Sequence, residues 1–474
     1  MFSPRNMIGD ASARRLLILI GLVLVCAFTG GSFRSNLPML LLLRPVLAIG
    51  LVALAVLPAT YAWHGLRWPA LLLLAFATSM VLQLVPLPVA WWLELAGRAR
   101  YAPAVQASGV STLPLSLVPD LTINSLFGLL PAACVLLAYA GMREQHRFAT
   151  LWLAIGLGSL SVVLALMQLG GPGGFGYLYG GRQDFVGGIL ANRNHQAVLL
   201  GSMLPLLAVA ARYVLHRHWP GIATAALAGA GVMIVPMILL TGSRQGLILA
   251  LFATVTAVLI APRPGRRVLG RFAGSGRWIA IGLMVVAAGL IALAVFSGRA
   301  VSIDRLLAAN AVSDDARWRN LPTVLELLRT TLPWGIGYGT FDPVYRGVEP
   351  DQLLHGSYFN HVHNDLIETM LTGGVAGAAL IILLMVALAW RMVHMVRQRQ
   401  SQGSLLLDRA GLVVVAMILA ASLVDYPLRT GILSMVFALA MCWVFAPPVL
   451  PSARQSRSGR TGPDGGFEQE AEAA

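Results

Sequence analysis

Apolar runs long enough to cross a bilayer recur about twelve times along this chain of 474 residues, and no other feature limits its folding so strongly. They lie near 16–31, 44–62, 68–86, 122–141, 148–168, 195–211, 220–240, 246–261, 278–296, 374–390, 410–424 and 430–446. Inside hydrocarbon each backbone polar group must be bonded within its own segment, which leaves helices for runs of this kind. With 57% hydrophobic and 11% charged residues and a mean hydropathy of +0.75, a water-soluble packing is excluded. The expectation is an all-α, polytopic membrane protein with about 12 transmembrane helices. Arg14 and Arg15 before the first run resemble the start of a signal peptide, but no small-x-small cleavage site follows, so that run is expected to remain as an anchor.

Charge placement orients the bundle. All 34 basic residues are arginine, for which GC-rich coding is sufficient reason, and 20 of them fall on the side of the N-terminus if that side is cytoplasmic. The opposite side carries arginines and acids in equal number, so the net charge of +14 reports topology and not nucleic-acid binding. Both termini are then cytoplasmic. The expected divisions are 1–296, with about nine spans; 297–363, a large outer loop containing short helices; 364–450, with about three spans; and 451–474, a disordered cytoplasmic tail. Cys26, Cys134 and Cys442 all fall in apolar runs, with neither a disulfide framework nor a zinc spacing.

Polar residues at the outer ends of the spans carry the chemistry. NHVHNDLIETMLTGGVAG (360–377) sets His361, His363, Asn364, Asp365 and Glu368 beside a span that starts near Gly374. A helix over HNDLIETML pairs His361 with Asp365 and Asn364 with Glu368 at i,i+4, a pattern that raises imidazole basicity for general-base work. The alternative is a capped interfacial helix facing headgroups. The tight hairpin LLTGSRQGLIL places Arg244 at a helix start, suited to bidentate phosphate binding or to snorkelling toward lipid. GGRQDFVGGILANRNHQA brings Arg182, Arg193, Asn194 and His195 to the same side, either as site residues or as caps. Arg317 and Arg319 sit on a helix expected to be capped by Ser313, with Pro322 kinking or limiting it, and Asp314 and Asp315 complement its dipole. The lone GIGYG lacks the strand and helix of a dinucleotide loop. Trp91 and Trp92 read as interfacial aromatics, and in DYPLR Asp425 and Arg429 either pair together or line the same cavity.

GGILANRNHQA, TGSRQG, DDARWRN with LPWGIGYGTF, HVHNDLIETMLTGGVAG and DYPLR, in this order on a multi-pass frame, resemble the O-antigen ligase and O-antigen polymerase superfamily. The similarity spans roughly Arg182 to Arg429 and includes a His363-Asn364 pair followed at the family's distance by Gly374-x-x-Gly377. The resemblance implies a glycosyltransferase of the bacterial inner membrane, its active site on the periplasmic face and its large loop periplasmic. It would move a glycan from undecaprenyl diphosphate to a lipid A-core hydroxyl, inverting and metal-independent, with no cofactor and no nucleic-acid partner. Polymerases of O-antigen or exopolysaccharide, joining a second lipid-linked glycan, share these motifs, and a polysaccharide or lipid transporter is the alternative from another class. By the same resemblance His363 and Asn364 are the catalytic residues. Arg244 and Arg317, then Arg193 and Arg182, bind diphosphate, and His361, Asp365, Glu368, Asp425 and Arg429 support them.

Overall fold

A computed structural model describes residues 10–32, 38–169, 177–179, 186–216, 221–261, 316–354, 359–397 and 406–448, with isolated helical positions between 281 and 292. In chain order its elements are α1 (Ala11–Thr29), α2 (Leu40–Val56), α3 (Trp63–Leu82), β1 (Pro86–Pro88), α4 (Val89–Glu94), α5 (Ala102–Ser108), β2 (Thr112–Pro114), α6 (Pro119–Phe127), α7 (Leu130–Ala140) and α8 (Glu144–Gln168). There follow α9 (Arg193–His216), α10 (Gly221–Leu240), α11 (Arg244–Ile260), α12 (Ala316–Thr331), α13 (Phe341–Arg346), α14 (Asp365–Arg397), α15 (Leu407–Ser422) and α16 (Gly431–Phe445).

The protein is mostly helical. Among the described residues six helices are long and apolar enough to cross a membrane: α1, α3, the α6–α7 pair, α8, α9 and α14. Shorter apolar helices, α2, the later part of α10, α11 and α16, accompany them. The expected run at 278–296 lies largely outside the described residues, as does the tail at 451–474. The run expected at 122–141 is broken at Gly128, with Pro131 in the first turn of the helix that follows.

Apolar burial sorts the helices. α9 is the central one, with 78% of its apolar window buried, packed against α8, α10, α11 and α15. α11 instead turns Ile248, Leu251, Val255, Val258 and Leu259 outward. A stripe like that is costly in water and costless against acyl chains, which is how a membrane helix differs from a soluble one.

Arginines close one end of the bundle. Arg15 donates to Leu57 O (2.5 Å) and Leu137 O (3.3 Å), Arg147 to Tyr139 O (3.1 Å) and Ala140 O (3.2 Å), Arg391 to Val444 O (2.6 Å) and Arg212 to Ile260 O (3.3 Å). Each acceptor lies at or just beyond the end of α2, α7, α16 or α11, where carbonyls have no partner within the helix and the dipole favours a cation.

At the other end a small excursion between α3 and α6 forms a two-stranded antiparallel ribbon, β1 with β2. Trp91 and Trp92 do not behave alike there. Trp91 is exposed, whereas Trp92 is buried, donates Nε1–H to Pro114 O at 2.8 Å and lies under the Arg98 guanidinium. An indole that finds a carbonyl and a cation within its own loop is held there in place of the headgroup region.

The turn at 333–339 fixes where α14 bends. Gly374 has φ +62° and ψ −145° inside α14, and a Cβ there would stand 2.2 Å from Pro333 O. The GIGYG loop is therefore a packing surface: Ile336 N and Gly337 N donate to Leu371 O and Thr372 O, and Gln83 bridges Thr372 O to Tyr338 N. Gly374→Ala is expected to lower the midpoint of heat-induced aggregation in detergent, since backbone strain alone costs about 1–3 kcal/mol. An unchanged midpoint would show that this bend does not need glycine.

Candidate functional site

The helix of the His-Asn stretch begins later than its pattern suggests. Asn364 caps α14, its Oδ1 accepting from Leu366 N and Ile367 N at 3.0 Å each, and its Nδ2 donates to Leu423 O at 2.8 Å. His361 and His363 thus precede the helix. His363 has φ +55°, a backbone conformation that residues with a Cβ seldom take and that is often found at functional positions.

Asp425, buried, is the hub of the first cluster. Its Oδ2 accepts from Asn194 Nδ2 (2.7 Å) and Asn192 Nδ2 (3.4 Å), and its Oδ1 accepts from Tyr426 N (3.0 Å). His363 Nδ1 lies 3.5 Å and His195 Nε2 3.7 Å from the same Oδ1. The Tyr426 ring stands amid three imidazoles, with centroids at 4.6 Å from His361, 4.9 Å from His363 and 5.3 Å from His195. Burial, with Asp425 alongside, pushes its hydroxyl far above the ordinary range, so Tyr426 keeps its proton.

Burial also pushes the Asp425 carboxyl upward, but the two imidazoles that face it, His195 and then His363, outweigh that and hold the group well below the usual carboxylate range. A depressed carboxylate contributes stability that is complete above the unfolded value, about 3.9, and is lost as pH falls through the folded one. Asp425→Asn is therefore expected to lower thermal stability at pH 6–7, with the deficit shrinking below about pH 4. A deficit that stays constant across that acid range would contradict the pairing.

The second cluster surrounds Glu368, buried in the first turn of α14. Its carboxylate meets His361 Nδ1 (2.9 and 3.2 Å), accepts from Val362 N (2.9 Å) and pairs with Arg429 Nη2 (3.1 Å). Arg429 Nε pairs with Asp365 Oδ1 at 3.1 Å, and Ser422 donates to Asp365 Oδ2. The expected i,i+4 pairings are therefore corrected: His361 takes Glu368, Asp365 takes Arg429, and the Asn364 side chain is occupied as a cap. Asp425 and Arg429 do not pair with each other; they serve adjacent clusters on either side of Tyr426.

The arginines come from helix starts. Arg193 opens α9 and Arg244 opens α11, both half-buried. Ser243, the residue before Arg244, caps α11 through Gly246 N and donates to Asn194 Oδ1 at 2.8 Å, which ties that helix start to Asp425. Arg317, second in α12, donates from Nη1 to Val424 O at 2.6 Å, one residue before Asp425. Cations at helix N-termini form an environment suited to a phosphate. Pro322 lies within α12, which continues to Thr331; Arg182, Ser313, Asp314 and Asp315 lie outside the described residues. Tyr426 is the site residue that pattern reading passes over, and Asn192 and His195 are weighed there only within a segment of site residues or caps. The only signal for them is that NRNHQA and DYPLR both return the chain to the same surface.

A cavity of about 710 Å³ opens from the second cluster into the bundle between α2, α3, α6, α7, α14, α15 and α16. Its polar lining includes His361, Asp365, Arg429 and Asn360, and its apolar lining includes side chains such as Leu43, Leu72, Phe76, Leu384, Phe437 and Met441.

Fold and site together define a mostly helical membrane protein whose Asp425 and Glu368 clusters lie side by side at the end of the bundle opposite the helix-closing arginines. Residues 229–382 match the family described as O-Antigen ligase, which supports the resemblance to the O-antigen ligase and polymerase superfamily. The matched stretch contains Arg244, Arg317, His363, Asn364 and Glu368, while Arg193, Asp425 and Arg429 reach the site from outside it. Comparison with curated proteins returned no match.

Proposed function

We propose that the protein is a ligase-type glycosyltransferase that moves a glycan from undecaprenyl diphosphate to a lipid A-core hydroxyl at the periplasmic face of the inner membrane. The observation that carries this reading is the convergence of His363, on a buried carboxylate, with segments bearing Arg193, Arg244 and Arg317, within a chain that matches the O-Antigen ligase family. Asp425 at His363 Nδ1 favours the tautomer whose Nε2 is unprotonated. That nitrogen takes the acceptor's proton as its oxygen attacks the anomeric carbon. The bond from that carbon to the phosphate oxygen breaks, and polyprenyl diphosphate leaves. Attack opposite the leaving group inverts the anomeric centre. The charge that develops on the diphosphate is met by the arginines, and the apolar cavity accommodates a lipid tail, with Glu368, Asp365, His361 and Arg429 holding its polar lining in shape.

Two measurements test the reading. Purified protein in detergent with EDTA is given a polyprenyl-diphosphate glycan and either lipid A-core or more of the same donor. Product on lipid A-core is expected; lengthened lipid-linked chains would make it a polymerase, and no transfer to either by folded protein would favour a transporter. Arg244→Lys, which keeps the charge and loses the planar fork, is expected to lose at least about 2 kcal/mol of transition-state binding, roughly 30-fold in rate, at unchanged protein level. Full activity in that variant would remove the bidentate role.

A further inference from the structure

His195 takes no part in the transfer chemistry proposed above, yet it has no exposed surface and faces the same carboxylate oxygen as His363. Its Nδ1 is buried with no hydrogen-bond partner among the described residues. An imidazolium would place a second N–H at that position without an acceptor, whereas the neutral ring protonated at Nε2 leaves only a bare lone pair there. Asn192 Nδ2 also lies 3.5 Å from Nε2. For it to donate to the ring, His195 would have to turn a lone pair toward Asp425 and bury the N–H at Nδ1, so the geometry favours Nε2–H directed at the carboxylate. The edge-on contact with the Tyr426 ring, at an interplanar angle of 87°, holds the imidazole in that orientation.

We infer that neutral His195 is a positioning residue for the Asp425–His363 couple: its N–H faces Asp425 Oδ1 at 3.7 Å, weakens the carboxylate's hold on a His363 proton, and so leaves His363 able to receive the acceptor's proton. Every element around Asp425 enters the balance. Asn192 and Asn194 come from the start of α9, Ser243 acts through Asn194 from α11, Arg317 acts on Val424 O from α12, and Tyr426 N and its ring come from the loop itself. Of the two imidazoles His363 is the more exposed, so it is the one that can exchange a proton with an acceptor. The inference rests on the reading of His363 as the base, but its first test does not require activity.

Nitrogen-15 NMR of histidine-labelled full-length protein in micelles, with the His363 and His195 signals assigned by their loss in His363→Ala and His195→Gln, reads both rings. His195 is expected as the Nε2–H tautomer at pH 7. The titration of His363 is expected to move to higher pH by on the order of one unit in His195→Phe, which removes the donor, and to stay near the wild-type position in His195→Gln, which keeps one. His195→Met carries the same expectation if the phenylalanine variant aggregates. A protonated His195 at pH 7, an unmoved His363 in the apolar variants, or equal movement in the glutamine variant would each overturn the assignment. The acid limb of the transfer rate should follow the same order. If these NMR shifts appear while wild-type protein transfers no glycan, His195 keeps its role on the imidazole and only the transferase reading falls.

Discussion

Glycan transfer by His363→Ala falls by about 10²–10⁴-fold, the usual worth of a positioned general base, while the protein extracts and runs as wild type. The second half of that expectation separates a chemical role from a structural one. His363 is partly exposed and its Nδ1 stands 3.5 Å from Asp425, beyond a close hydrogen bond, so truncation removes little that holds the fold. His361 is the contrast: it grips buried Glu368 at 2.9 Å, and His361→Ala should cost stability as well as rate. Paired measurements of initial transfer rate and thermal aggregation midpoint resolve the two. A His363→Ala enzyme that transfers at the wild-type rate would remove the residue from the chemistry.

The largest stability loss is expected at Glu368→Ala. Glu368 is fully buried and joins three segments: Val362 N and His361 ahead of α14, its own first turn, and Arg429 from the loop before α16. Burying such a carboxylate is favourable only because all of these partners meet it. Removing it leaves Arg429 with Asp365 alone and deprives His361 and Val362 N of their acceptor, at a cost of about 3 to 5 kcal/mol. Glu368→Gln, which retains an acceptor for Val362 N, should lose less. If the alanine variant shows the wild-type aggregation midpoint in detergent, the second cluster does not hold the site together.

How much of this could be read from the residues alone depends on distance along the chain. Apolar runs dictate spans locally, so the helical membrane frame was legible, and the polar stretch at 360–368 was recognisable as a place where charge needs a reason. The helix start was misplaced because periodicity extends a helix backward until something stops it. What stops it is the Asn364 cap together with the positive φ of His363, and His361, left upstream of the helix, therefore changed partner. The contacts that define the first cluster join residues 195, 363 and 425, and no local pattern encodes which imidazole meets which carboxylate across more than 200 positions. Trp92 misled for a related reason: an indole suits the headgroup region until a carbonyl 22 residues away claims its N–H.

The arginines at the closed end of the bundle bear on how the protein is made. Arg15 finds its acceptors 42 and 122 positions later in the chain, Arg212 48 later and Arg391 53 later. Each of these cations leaves the ribosome before the carbonyl it will bond exists. During synthesis an early span therefore carries an arginine that only water or headgroups can satisfy, and it gains its internal partner when a later helix arrives. Once the later helices dock, these side chains become the bonds that keep them there. Because Arg15 uses its fork to reach two carbonyls, lysine there would keep the charge while leaving assembly incomplete.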